Sequence, residues 1–108
     1  MKTKLFALAG IAGSVLMLSS VAHAGDIQAG QSKYQSVCLS CHGAEGKGQA
    51  IFPALAGQDA AYVTDKLERY RAGEEVGEHT ALMRPHAQAL SDEEIANLAA
   101  FIETEFGG

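Results

Sequence analysis

A chain of 108 residues with no Trp, 6% aromatic residues and two Cys is too short for a multi-domain enzyme, a dinucleotide-binding sheet or a closed α/β barrel. Its 8 Lys and Arg stand against 13 Asp and Glu with no basic run, which excludes a nucleic-acid surface. The excess of acid repels anionic lipid and suits a partner with a positive docking patch.

Residues 1–24 have the order of a secretory signal. Lys2 and Lys4 precede a short apolar run from Leu5 to Leu18, and Ala22-His23-Ala24 offers a small-x-small cleavage site. The apolar run is shorter than the roughly 20 residues of a spanning helix, so the reading is cleavage after Ala24, export to the periplasm and no stable membrane insertion. His23 leaves with the signal. The mature domain, 25–108, then has 84 residues with 6 Lys and Arg, 13 Asp and Glu and 10 of the 12 Gly. So small a chain buries a poor fraction of its surface and calls for a metal, disulfide or other filling for its core.

Asp26 can cap a first helix from about Ile27 to Val37. Gly30 interrupts it at a cost of about 1 kcal/mol against Ala, which points to another backbone packed close. From Gly43 to Gly57, five Gly and Pro residues and no sustained period predict a loop anchored by Ile51, Phe52 and Leu55. Asp59 opens a second helix whose stripe of Val63, Leu67 and Tyr70 reads as core packing, with Gly73 at its C-terminal end. Glu74 to Arg84 reads as loop, since Pro85 does not continue a ladder of backbone bonds. Ser91 and Glu94 form a capping box for a last helix with an apolar stripe of Ile95, Leu98, Ala99 and Ile102. No stretch alternates as a strand does, so the fold class is small and all-α.

The run Cys38-Leu39-Ser40-Cys41-His42 matches the attachment pattern of c-type haem. Two thiols three positions apart can each add to one haem vinyl group, and the adjacent imidazole then supplies an axial bond. A thiol–disulfide redox pair usually sits in a βαβ setting, which is not visible here. A zinc site wants a fourth ligand, for which His79 or His86 are candidates at no recognised spacing. For haem, Met83 leads as the opposite axial donor, since Met1 and Met17 fall in the signal; His86 and His79 are its rivals.

These residues give the chain its resemblance to the class I c-type cytochromes, in particular to small bacterial monohaem proteins similar to one half of the dihaem periplasmic cytochromes. Cys38 to Gly43, Gly46-Lys47-Gly48, Phe52 to Gln58, Tyr62, Arg69 to Gly73, and Met83 eight residues before Ser91 carry it across nearly all of residues 25–108. The resemblance implies an all-α class I cytochrome c fold, with N- and C-terminal helices packed together around one covalent haem c. It implies that Cys38 and Cys41 hold that haem, that His42 and Met83 are its axial ligands, and that the carbonyl of Pro53 accepts the other ring proton of His42. It places Gly30 and Tyr34 across from Leu98 and Phe101. His86 stands where some of the family have a further Met, near enough to modulate the site.

With both axial positions filled by protein, the function expected is a soluble periplasmic one-electron carrier, not an enzyme. It would be a monomer meeting redox proteins in small transient contacts. The alternative is a haem enzyme or gas sensor with a displaceable sixth ligand.

Overall fold

The computed structural model describes residues 25–108; the signal segment, its cleavage site, Met1 and Met17 lie outside the described residues. The described chain is helical, and its one β-type pairing is an isolated bridge between Gln49 and Phe52.

Helix α1, Ile27–Lys33, begins where Asp26 accepts hydrogen bonds from the amides of Gln28 and Ala29, at 2.9 and 3.2 Å. The helical path does not stop at Val37. It runs through a π-helical turn, Tyr34–Cys38, into the short α2, Leu39–His42, so the whole Cys-x-x-Cys-His run is helical. In the wide turn the amide of Leu39 reaches back to the carbonyl of Tyr34. Its physical effect is on phase. Tyr34, Cys38 and His42 are all buried, four residues apart. A straight α-helix with 3.6 residues per turn would let such a series drift by about 40° at each step, and the π turn cancels part of that drift.

Helix α3, Ala60–Arg71, starts on the Asp59 carboxylate, which accepts from the Tyr62 amide at 2.8 Å, and ends with Gly73 at φ 85°. The next segment departs from the loop expected up to Arg84. Thr80–Gln88 forms a helix, α4, with Met83 on it and Pro85 inside it. Two features make this affordable. Thr80, only 1% exposed, accepts from the amides of Val76 and Gly77 at 2.9 Å each and donates to the Gly77 carbonyl at 2.7 Å, fixing the first turn. Pro85 removes only the bond to the carbonyl of Ala81, an exposed residue.

Helix α5, Asp92–Phe106, opens with the complete capping box: the Glu94 amide donates to Ser91 Oγ at 3.1 Å and the Ser91 amide to Glu94 Oε1 at 3.0 Å. Its most extensive packing is on α1. There the rings of Tyr34, Phe101 and Phe106 form a triangle with centroids 5.3 to 5.5 Å apart, each pair contributing about 0.5–1.5 kcal/mol beyond area burial. A Cβ on Gly30 would collide with the Asn97 carbonyl and approach Phe101, so the close approach read from the sequence is present. The Asp26 amide adds a 2.7 Å bond to Asn97 Oδ1 across the same crossing.

Lys33 pairs with Glu94 at this crossing. The Lys33 ammonium, with help from Ser91, holds the Glu94 carboxyl below its ordinary value of 4.5. A depressed acid stabilises the fold at pH above the unfolded value and loses that contribution as pH falls through the folded one. Glu94→Gln is therefore expected to lower the denaturation midpoint at pH 7, by less than about 1 kcal/mol for so accessible a pair. The gap to the parent should narrow below pH 4; equal deficits at pH 7 and pH 3 would refute the linkage.

Candidate functional site: an apolar cavity at the Cys-x-x-Cys-His turn

His42 ends the helical run because Gly43 follows at φ 88° and turns the chain out. The hydroxyl of Tyr34 donates to the Gly43 carbonyl at 2.5 Å, pinning the residue after His42 to the core. The loop then doubles back. The Gly48 amide donates to the His42 carbonyl at 2.8 Å, and Gly46 accepts from the amides of Leu55 and Ala56 at 2.7 and 2.9 Å. Gly48 has φ 68°, and a Cβ there would run into the carbonyls of Phe52 and Pro53. Only glycine lets these strands of loop pass so close.

That approach brings the Pro53 carbonyl to 2.8 Å from His42 Nδ1. A carbonyl can only accept, so Nδ1 carries the proton and Nε2 keeps its lone pair for a metal. His42 is 8% exposed, so packing holds the ring while this bond sets its tautomer.

His42, Cys38, Cys41, Met83 and Pro53 all line one cavity of about 390 Å³. The π turn and α2 supply the cysteines and His42, the Gly-rich loop supplies Ile51, Phe52 and Leu55, and α4 supplies Met83 from the other side of the fold. Val63 and Leu67, expected only as core, are buried and also form its wall, while Tyr70 is only partly buried. His79 and His86 line it too. Ile51, Tyr62 and Leu82 are 47%, 42% and 50% exposed at the same cavity, large apolar groups left in water where a cofactor would cover them.

The donor chemistry discriminates among the three readings of the motif. Cys38 and Cys41 are free, not bonded to each other, and burial pushes the Cys38 thiol up to about 11. Redox thiols are activated in the opposite direction. Among the described residues no three His, Cys, Asp or Glu side chains are arranged to hold a metal ion, so a zinc site on Cys38, Cys41, His42 and a second His lacks its ligand set. One imidazole with Nε2 free, one thioether, two thiols and apolar walls fit haem c.

Three features of this site were not apparent from the sequence. Thr80 fixes the start of the helix that carries Met83, Tyr34 fastens Gly43, and Lys66 stands on the cavity wall. The first two depend on contacts across turns; Tyr62, Lys66 and Tyr70 at four-residue spacing on α3 were a readable signal for the third.

Residues 27–105 match the family model described as cytochrome c. Cytochrome c-554(548) of Halomonas halodenitrificans is 46% identical over 83 residues, covering 76% of this chain and 99% of that protein. A Stutzerimonas stutzeri protein named as a thiosulfate dehydrogenase electron acceptor is 40% identical over 110 residues, covering 95% of this chain and 49% of that one. Among solved structures, reduced recombinant cytochrome c4 from Pseudomonas stutzeri superposes with a TM-score of 0.63 at 31% identity, over 71% of this chain and 46% of its own length. The chain thus spans about half of the two longer proteins and nearly all of the shorter one. With its helical fold, its Cys-x-x-Cys-His turn and its cavity, the chain belongs to the cytochrome c family and is an electron carrier with covalently attached haem c.

Proposed function

We propose that this chain is an exported, periplasmic electron shuttle in which Cys38 and Cys41 hold the haem by thioether bonds and His42 and Met83 are its axial ligands. The observation that carries the reading is that Cys38, Cys41 and His42, from one helical run, share an apolar cavity with Met83 from α4. The haem, when bound, supplies reversible one-electron exchange between Fe(II) and Fe(III). The protein's part would be to ligate the iron with both His42 and Met83, leaving no site for substrate, and to exclude water with Val63, Leu67 and Leu98. The Pro53 carbonyl holds the His42 ring in the tautomer that leaves Nε2 free to bind iron.

Residues 1–24 act as the signal, and the mature chain works as a monomer meeting its redox partners briefly. The acid-rich surface favours a partner with a basic face. The Stutzerimonas relative makes thiosulfate dehydrogenase the first electron donor to try.

The exported protein should keep its colour in a denaturing gel, stain for haem peroxidase activity and show, when oxidised, the weak red charge-transfer band of Met-to-iron ligation. A colourless polypeptide without the added mass of haem would end the proposal.

A further inference from the structure

Residues 25–108 contain six Lys and Arg side chains. Five are paired: Lys33 with Glu94, Lys47 with Glu45, Arg69 with Asp65 and Glu74, Arg71 with Asp92, and Arg84 with Glu75. Among the described residues Lys66 alone has no carboxylate partner. In a segment with thirteen carboxylates this is unexpected on numbers, so its place has to account for it. Lys66 is half-buried on α3 and lines the haem cavity, its ammonium 5.3 Å from the ring centroid of Tyr62, one turn before it.

Haem carries two carboxylates, and a carboxylate drawn to the edge of an apolar cavity needs a compensating charge or hydrogen bonds. The cavity wall offers one fixed cation, Lys66, and one carboxylate side chain, Glu78, on the segment before α4. Glu78 repels a haem carboxylate from its side, while the Lys66 ammonium presents three donors. Tyr62 holds the ammonium at the rim by attraction to its ring face.

We propose that Lys66 binds one carboxylate of the haem, seating that edge of the cofactor against α3 and raising its reduction potential. The inference rests on the haem placement proposed above. The sign follows from Coulomb's law: an uncompensated carboxylate favours the more positive ferric form, and the ammonium cancels that preference.

The test uses the haem-loaded protein and three variants. In Lys66→Gln the equilibrium constant for reduction at pH 7 should fall about threefold, a drop of about 28 mV at 59 mV per tenfold change. Lys66→Arg keeps the charge and should recover most of the loss. Lys47→Gln, which removes a paired charge from an exposed site off the cavity wall, should leave the potential unchanged. In the reduced parent protein, nuclear Overhauser contacts should join the Lys66 side chain to the haem propionate methylenes. The proposal is overturned if Lys66→Gln leaves the potential unmoved, if Lys47→Gln lowers it equally, or if those contacts are missing. The haem stain and the red band of the parent report separately on attachment and ligation. When both are present and the Lys66 outcomes fail, only Lys66 is misassigned.

Discussion

Met83→Ala is expected to keep its haem and lose its potential. The thioether bonds to Cys38 and Cys41 do not involve Met83, so the haem stain should survive, whereas the red band of the ferric protein should vanish. Met opposite His raises the potential of a haem, and axial ligation spans roughly 0.8 V across haem proteins, so a fall on the order of 0.1–0.3 V is expected. Carbon monoxide, excluded from the ferrous parent at modest concentration, should then bind. His86 and His79 line the same cavity, and His86 follows Met83 by three residues on α4, close to one helical turn. If the variant stays low-spin at a lowered potential, a His has moved onto the iron, and adding His86→Ala identifies which. A Met83→Ala protein with the parent's red band and potential would remove Met83 from the iron altogether.

Where the sequence was legible, the governing contact was local. Asp26, Asp59 and the Ser91–Glu94 box each cap amides two or three residues away, so the helix starts they predict are the starts observed. The Cys-x-x-Cys-His run is also a local signal, because the chemistry needs those groups adjacent. What failed was local reasoning about α4. Pro85 reads as a terminator, yet one lost bond at an exposed residue is outweighed by a buried Thr80 that ties up Val76 and Gly77. The loop expected to carry Met83 is thus a helix, a stiffer mount for the proposed ligand. The π turn was equally hidden, since nothing in Tyr34 to Cys38 separates a bond reaching five residues back from one reaching four. Lys66 is silent in the sequence for a third reason: what sets it apart is the lack of a carboxylate partner, a property of the folded pairing of the other five cations.

Gly30→Ala is the test of how the two terminal helices meet, because two effects of opposite sign act on one methyl group. Helix propensity favours Ala by about 1 kcal/mol. Against it, the new Cβ lands on the Asn97 carbonyl and close to Phe101. The carbonyl is helix backbone in α5, and Leu98 beside it is fully buried, so it has no rotamer to escape into. Overpacking of this kind typically costs 1–3 kcal/mol and occasionally more. Here it also pries apart the Tyr34–Phe101 contact and the Asp26–Asn97 bond. Repulsion should win, leaving a net loss of about 2–3 kcal/mol in the haem-loaded protein. At about 4–8 °C per kcal/mol for a domain of this size, the Tm should fall by roughly 10 °C or more, and further in Gly30→Val. Ser32→Ala, at an exposed position on the same helix, is the control, and its Tm should stay within a few degrees of the parent. If Gly30→Ala melts with the control, then α1 and α5 are not held at the separation described here. The helix that delivers Cys38 and His42 to the cavity would have to be positioned by the haem itself.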